Sequence, residues 1–320
     1  MRKHFSRQWI LPVFLLIFPA LFMCSSAEAA PFSFTDDSGR QITLPRPATR
    51  IIPLYAAFSE ILLELGQEKR LIARTASDRN VPGLPSVGTH LRQNLELVYG
   101  LEPDLVLQMQ GRGESIQTAE ALRSLGVRVA VFNLRNFEDL FRVIALLGQA
   151  SDAQEEARAL AESLRHDLEE LQRKLARIQE KPTVFFELRY PGLIAAGPDS
   201  ITDAIITAAG GQNCLNSLYN KTASGILPNR SILRLSEEIL LTLDPEVYLI
   251  QRGPMNKNPR PLPERPHFLS LRACKNNRFL VVDEEMFSRP GPKNIRAARL
   301  LAEFLHPDCF IPDPDYSDSR

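Results

Sequence analysis

The longest amphipathic pattern of the chain runs from Ser151 to Glu180, near its middle. Apolar residues recur there in steps of three and four, which places them on one face of an α-helix. Ser151 with Gln154 is a capping-box pattern that would begin this helix, and Pro182 would end it. Thirty helical residues predict a rod of roughly 45 Å. Its apolar positions are Ala157, Leu160, Ala161, Leu164, Leu168, Leu171, Leu175 and Ile178.

Shorter strand and helix patterns alternate on both sides of this stretch, as in chains built from βα units with mainly parallel sheets. Before it, the sequence predicts a hairpin over 32–44, strands over 50–54, 71–74, 104–108 and 127–132, and helices over 57–65, 95–100, 115–125 and 137–147. After it, strands are predicted over 183–188, 193–196, 246–251 and 279–283, and helices over 201–209, 237–243 and 294–305. Residues 252–266 are too rich in Pro and Asn for regular structure.

The fold class predicted from this order is α/β, with two Rossmann-like lobes joined by one long rigid α-helix. The lobes are expected over residues 30–150 and 182–306, the joining helix over 151–181, and a loose tail over 307–320. A coiled-coil arm is the alternative for the long helix. The similar patterns on both sides of it favour a strut between two lobes.

A short repeat supports the division into two lobes. Asn94-Leu-Glu96 is followed after six residues by Pro103 and a strand, and Ser236-Glu-Glu238 is followed after six residues by Pro245 and a strand. In each case an N-cap residue opens a short helix and a glutamate comes two positions later. The sequence therefore places Glu96 and Glu238 at matching points of the two lobes.

The length of 320 residues, 44% of them hydrophobic, is sufficient for two cores. Residues 1–29 have the form of a secretory signal peptide, with a basic start, an apolar run and the small-x-small site Ala27-Glu28-Ala29. Met23 is a poor residue before a lipidated cysteine, so cleavage near Ala29 and a soluble exported protein are expected rather than anchoring at Cys24. Cleavage removes three basic and one acidic side chain and changes the net charge from 0 to −2. Binding to nucleic acid or to an anionic membrane is therefore not expected.

Three cysteines remain after this cleavage, Cys214, Cys274 and Cys309. In an oxidising compartment one disulfide with a free thiol is possible, and three buried reduced thiols are the alternative. The sequence does not decide between them.

Arginine and aromatic side chains follow several of the predicted strands. Ligands of open α/β sheets bind beyond the carboxyl ends of the strands. Guanidinium groups pair with carboxylates and stack on rings, so this set suits a large, planar or anionic ligand, although surface arginines are also common there. The candidate ligand-binding residues are Tyr55, Met109, Arg112, Arg189, Tyr190, Arg252, Phe287 and Arg289, with Arg135 at a further strand end.

His90 is the one histidine in such a loop. The histidines and carboxylates are not spaced to hold a bare metal ion, so His90 is a possible axial ligand of a metal already held in a chelate, or a polar wall residue. The sequence contains no nucleophile elbow, phosphate-binding glycine loop or paired catalytic carboxylates. A binding protein is therefore expected rather than an enzyme.

Glu96 and Glu238 have two possible roles. A glutamate in the first turn of a helix gains roughly 0.3–1 kcal/mol from the helix dipole, which is a sufficient structural reason for it. If a rigid helix holds the lobes apart, the two carboxylates would also present two negative points at a fixed distance. Such a pair could dock on two basic sockets of a partner.

Several stretches carry a family resemblance in their order around the long helix. They are Asp36-Asp-Ser-Gly-Arg-Gln-Ile-Thr-Leu-Pro, Arg50-Ile-Ile-Pro-Leu with Ser59-Glu-Ile-Leu, Val87-Gly-Thr-His-Leu-Arg-Gln-Asn-Leu-Glu, Glu102-Pro-Asp-Leu-Val-Leu, Ala209-Gly-Gly-Gln-Asn and Ser288-Arg-Pro-Gly-Pro. From about residue 34 to 307 the chain resembles the periplasmic solute-binding proteins of ABC importers for ferric siderophores, cobalamin and haem. The resemblance implies two lobes that open only slightly and a monomer with no intrinsic cofactor.

The same resemblance implies partners and a ligand class. Counterparts of Glu96 and Glu238 engage arginines of a permease dimer that works with an ATPase. The transported ligand is expected to be a metal chelate, a ferric siderophore or a cobalamin-type corrinoid, with haem as the alternative. Siderophore binders of the family favour arginines in the cleft. Cobalamin binders tend to carry cleft tryptophans at the places where this chain has His90 and Met109. Haem binders often carry a tyrosine in the loop where this chain has Thr89-His90. A permease-independent receptor or a cofactor enzyme on the same scaffold is the other alternative.

Overall fold

The computed structural model describes residues 31–111, 113–220 and 231–311 of the chain. The predicted signal peptide, Arg112 and residues 312–320 of the predicted tail lie outside the described residues.

The N-terminal half contains a hairpin and a small parallel sheet. Strands β1 (Phe32–Thr35) and β2 (Gln41–Leu44) pair antiparallel, and β3 (Ile51–Pro53), β4 (Leu105–Met109) and β5 (Val129–Phe132) pair parallel in that order. Every residue of β3 and β5 is buried, as expected for parallel strands covered on both faces. Helices α1 (Ala56–Glu64) and α4 (Phe137–Ala150) cover one face, and α2 (Leu95–Gly100) and α3 (Gly113–Ser124) cover the other.

The long helix α5 spans Gln154–Leu175, which is 22 residues or about 33 Å. It is shorter at both ends than the sequence predicted. Ser151 does not cap it: this residue ends α4, its hydroxyl donates to the Leu147 carbonyl oxygen, and the N-cap of α5 is Ala153 without a side-chain bond. The other end lies seven residues before Pro182, so the proline is not what stops the helix.

The apolar face of α5 is confirmed. All eight predicted positions lie within or against the largest buried cluster. Close approach of α4 and α5 depends on Gly148, because a Cβ at this position would lie 2.4 Å from the Cβ of Ala157. The same cluster contains Ile51 of the N-terminal sheet and Val184 of the C-terminal half, so α5 is part of one apolar core shared by both halves.

The C-terminal half is built on a mixed sheet of six strands, β6 (Thr183–Arg189), β7 (Ile194–Ala196), β8 (Gln212–Asn213), β9 (Ile232–Arg234), β10 (Val247–Arg252) and β11 (Phe279–Asp283). Its order is β11-β10-β6-β7-β9, with β8 beside the start of β6. The pairs of β6, β8, β10 and β11 are parallel, whereas β7 pairs antiparallel with β6 and with β9. The helices are α6 (Ile201–Ala208), α7 (Asn216–Asn220), α8 (Glu237–Leu243), α9 (Arg272–Lys275), α10 (Glu284–Phe287) and α11 (Lys293–Leu305).

The predicted α/β class with two lobes and a joining helix is confirmed, and two local predictions are wrong. The expected strand over 71–74 is reduced to two isolated bridges, Leu71 with Ile51 and Arg74 with Ser86. The described start of the tail is not loose: Pro307–Phe310 form a 3-10 turn that packs against the largest cluster. No helix among the described residues has both the length and the apolar character needed to cross a bilayer.

Candidate functional site

Tyr55 and His90 form an aromatic wall on the N-terminal lobe. Tyr55 follows β3 and is the N-cap of α1, with extended backbone at φ −147° and ψ 134°. Its ring meets the His90 imidazole edge to face, with 6.0 Å between the ring centroids. Tyr55 is half-buried, and His90 is exposed in the loop that precedes α2. The structure thus brings together two residues that the sequence predicted for the ligand site.

Arg289 of the C-terminal half lies near enough for its charge to act on both residues of this wall. Its side chain is buried, Nη2 donates to Glu285 Oε1 at 3.2 Å, and Nη1 has no hydrogen-bond partner within the described residues. Burial lowers the pKa of His90, and the positive charge of Arg289 lowers it further. Burial raises the pKa of Tyr55, an effect that Arg289 opposes and Glu284 reinforces. Both effects favour the neutral imidazole over the imidazolium, and the neutral ring has a lone pair that can bind a metal.

An ionic contact between a buried carboxylate and an exposed lysine joins the lobes. Glu60 of α1 is 4% exposed, and its Oε2 lies 3.5 Å from Nζ of Lys293, the first residue of α11. A Cβ at Gly291 would lie 3.3 Å from Glu60 Oε1, so a glycine there permits this approach. Burial raises the pKa of Glu60, and Lys293 and Arg289 oppose the rise. Glu60 was not predicted from the sequence as a functional or structural residue. A carboxylate in the middle of the apolar helix α1 could have indicated a buried charge with a partner.

The remaining strand-end residues are placed as their positions predicted. Met109 ends β4 and is half-buried against the largest cluster. Arg189 and Arg252 end the adjacent parallel strands β6 and β10, and both side chains are exposed. Arg112 lies outside the described residues. Ligand contact by these four residues stays a prediction.

Two predicted cleft residues are engaged elsewhere. Phe287 is 4% exposed and stacks on Phe186 at 6.3 Å between centroids, because the short helix α10 turns it into the core. Tyr190 is half-buried, and its hydroxyl donates to Glu237 Oε1 of α8 at 3.0 Å. Phe287 is thus a core residue, and Tyr190 connects the end of β6 to α8.

A second opening between the lobes has a volume of about 800 Å³ and lies against α5. Arg135 and the start of α4 form one wall, Leu168 and Leu175 of α5 form the floor, and the start of α6 forms the other wall. No residue of the Tyr55, His90 and Arg289 wall lines it. The strand-end arginine Arg135 therefore belongs to a different groove from the predicted ligand site.

With this geometry, the chain can be compared with known proteins. Residues 51–286 match the periplasmic binding protein family. The chain belongs to this family. It is 26% identical over 291 residues to an uncharacterised ABC transporter substrate-binding lipoprotein of Bacillus subtilis, covering 88% of each chain. It is 24% identical to a vitamin B12-binding protein of Vibrio vulnificus, covering 80% of this chain and 90% of that protein.

The fold is shared with solved structures. A protein of an ABC-type Fe3+-hydroxamate transport system from Saccharomonospora viridis superposes with a TM-score of 0.68 at 21% identity, covering 87% of this chain and 99% of that one. This likeness confirms the fold expected from the family resemblance.

A buried ionic network lies beneath Tyr190 in this binding protein. Glu187 of β6 is fully buried, and Arg265 is 1% exposed. Arg265 Nη1 pairs with Glu187 Oε2 and Nη2 donates to Oε1 at 3.1 Å, while the Tyr248 hydroxyl donates to Oε2 at 2.6 Å. The guanidinium lies 4.3 Å from the ring centroid of Tyr190. The network ties the irregular stretch 252–266 to the sheet. It was not predicted from the sequence, although a glutamate inside an apolar strand was a signal that could have indicated it.

No group of three His, Cys, Asp or Glu side chains in the described part of this binding protein could hold a metal ion. The three described cysteines are free thiols, and burial raises the pKa of Cys214 to about 12.

The two lobe glutamates occupy matching positions. The Asn94 side chain accepts from the Leu97 N–H at 3.0 Å, and the Ser236 hydroxyl oxygen accepts from the Ile239 N–H at 3.4 Å. These N-caps begin α2 and α8, and they place Glu96 and Glu238 at the second residue of each helix. Both carboxylates are exposed, and hydrogen bonds led by that of the Ser236 side chain lower the pKa of Glu238. The predicted repeat is therefore present in three dimensions.

Proposed function

We propose that this chain is the substrate-binding protein of an ABC importer and that it captures a metal chelate between its two lobes. The observation that supports the proposal is the Tyr55 and His90 wall of one lobe together with the buried Arg289 of the other, whose Nη1 has no hydrogen-bond partner among the described residues. The relatives support the ligand class, since one is named for vitamin B12 and a structural neighbour for Fe3+-hydroxamate. The chain would act outside the cytoplasm, by non-covalent binding and without catalysis.

The chemistry of the wall favours a chelate with both a metal and acidic groups. A neutral His90 offers its lone pair to a metal with an open axial position, as in a corrinoid or haem. The unpaired Nη1 of Arg289 offers a charge-assisted hydrogen bond to a carboxylate or another oxyanion. A ferric siderophore, whose metal has no open position, would use Arg289 and the exposed Arg189 and Arg252 instead.

Delivery would use the two lobe glutamates. Glu96 and Glu238 would pair with cationic residues of a permease dimer that works with an ATPase. The variant Glu96→Ala/Glu238→Ala should keep chelate affinity and lose uptake. Unchanged uptake in this double variant contradicts the docking role and favours a receptor that works without a permease.

The first experiment is the absorbance spectrum and native mass of the protein isolated from its own cells. Titration with haem, cyanocobalamin and a ferric hydroxamate would follow under one set of conditions. Saturation one-to-one with one of the three supports the proposal, and no binding of any of them contradicts the proposed ligand class.

Variants then identify the contacts. His90→Ala should weaken a chelate with an open axial position and change its metal absorbance bands, while His166→Ala, on the exposed side of α5, should change neither. Arg289→Gln should weaken an acidic chelate, while Arg135→Gln, which alters only the other groove, should not. Equal affinities for His90→Ala, Arg289→Gln and their controls would place the ligand outside this wall.

A further inference from the structure

Each lobe exposes an aliphatic side chain directly after its lobe glutamate. Leu97 follows Glu96 and is 38% exposed, and Ile239 follows Glu238 and is 39% exposed. Both are the third residue of their helices, and the N–H of each is the one that the N-cap side chain binds. The two lobes therefore present the same pair of neighbouring side chains, a carboxylate and an aliphatic group.

Other exposed apolar groups lie close in sequence to Leu97 and Ile239. Among the described residues, twelve large hydrophobic side chains are exposed, and five of them fall within 91–99 and 232–239. These five are Leu91, Leu97, Tyr99, Ile232 and Ile239. A clustered set of exposed apolar side chains marks an interaction surface more often than a scattered one does.

The carboxylates alone give a weak surface. An ion pair that stays in water changes an equilibrium by at most about fivefold. The same pair is stronger when apolar neighbours exclude water and lower the local dielectric constant. An aliphatic group beside each glutamate would supply this exclusion and would bury apolar area of its own.

We propose that Leu97 and Ile239 are contact residues of the permease-docking surface, each entering an apolar hollow beside a cationic residue. This inference rests on the proposed function. The charge of Glu96 and Glu238 calls for a cationic partner, and the repetition of the pair on both lobes calls for a partner with two like halves, as in a permease homodimer. A second copy of this chain is the competing occupant, and it would place equal charges opposite each other.

The test compares single and double variants of the full exported chain. Leu97→Gln and Ile239→Gln remove the apolar groups while keeping a good helix former. Leu300→Gln on α11 is the matched control, because Leu300 is 41% exposed and lies outside both regions. Glu96→Gln and Glu238→Gln remove the charges. Binding to the permease and ATPase complex encoded in the same genome, held in nanodiscs, is measured at low and at high salt.

About two-fifths of each aliphatic side chain is exposed in the free protein. Burying this exposed part completely corresponds to about a threefold to eightfold change in affinity. Each of Leu97→Gln and Ile239→Gln should therefore weaken docking by that factor, and the double variant by roughly the product. Docking of Leu97→Gln and Ile239→Gln should still depend on salt, because both carboxylates remain, whereas docking of the glutamine variants of the glutamates should lose this dependence. Leu300→Gln should dock like the wild type, and all variants should keep the wild-type circular dichroism spectrum and urea unfolding midpoint.

The outcomes distinguish failure of this inference from failure of the proposed function. Wild-type docking by Leu97→Gln/Ile239→Gln overturns this inference and leaves the proposed function intact. Failure of the wild type itself to bind the permease overturns both. A wild-type dimer in sedimentation that the double variant converts to a monomer assigns the surface to a second copy and also overturns the inference.

Discussion

Arg265 is the side chain whose loss should damage the C-terminal lobe most directly. The variant Arg265→Met keeps the long apolar stem and removes the guanidinium that pairs with Glu187. Glu187 is fully buried and Arg265 is 1% exposed, so water cannot replace the lost partner. The variant leaves a carboxylate in the sheet with the Tyr248 hydroxyl as its strongest remaining donor, at 2.6 Å.

The expected cost follows from this burial. Removing one member of a buried ion pair costs about 3–5 kcal/mol, because the other charge remains without compensation. Stabilities of folded proteins are about 5–15 kcal/mol, so the loss is a large share of the total. The double variant Glu187→Gln/Arg265→Met should recover most of it, because glutamine is neutral and its carbonyl oxygen can still accept from Tyr248. Arg158→Met is the surface control: its partner Glu155 is 80% exposed, so the cost should stay below about 1 kcal/mol.

The assay is urea unfolding followed by circular dichroism, with the free energy of unfolding taken from the linear dependence on urea. We expect the free energy of unfolding of Arg265→Met to be well below that of the wild type. The values for the double variant and for Arg158→Met should be close to the wild-type value. If Arg265→Met loses no more than Arg158→Met, or if adding Glu187→Gln brings no recovery, the uncompensated charge is not the cause of instability.

Two further predictions concern the contact between the lobes and the joining helix. Burial raises the pKa of Glu60, so the folded state favours the protonated carboxyl group. The resulting contribution to stability is fully present below the ordinary carboxyl pKa, and it is lost as pH rises through the raised pKa of the folded state. The free energy of unfolding of the wild type, minus that of Glu60→Gln, should therefore fall as pH rises above the ordinary carboxyl pKa; a difference that does not change with pH would show that burial of Glu60 does not favour its protonated form. Gly148→Ala should cost about 1–3 kcal/mol in urea unfolding, because its Cβ would lie 2.4 Å from that of Ala157. Gly83→Ala, which meets nothing within 4 Å, is the control, and an equal cost for both would contradict the crowding argument.

The parts of the fold that were predicted correctly have strong local signals. The bounds of α2 and α8 agree with the prediction because Asn94 and Ser236 cap them from their own side chains. The start of α5 was placed too early because Ser151 has the sequence of a cap but bonds backwards to Leu147. Strands β8 and β9, at two and three residues, are too short to show a period and exist through their neighbours in the sheet.

The candidate site was predictable in position and less so in detail. The rule that ligands bind at strand ends led to Tyr55 and Arg289, and ligand contact by both stays a prediction. The strand-end rule does not say whether a side chain is buried or exposed. It therefore also selected Phe287, which α10 turns into the core. Glu60 and Arg265 were missed because their roles depend on partners distant in sequence, Lys293 and Glu187.

The apolar cluster that runs through α5 from one sheet to the other has a consequence for unfolding and for engineering. Because Ile51 of one lobe and Val184 of the other belong to this cluster together with the inner face of α5, neither lobe has a complete core without the helix. Melting of one lobe would strip apolar cover from the other, so a single cooperative transition is expected rather than two. A chimaera that exchanges one lobe between relatives should therefore place its junction outside α5. The whole helix and the lobe that it accompanies should come from the same parent protein.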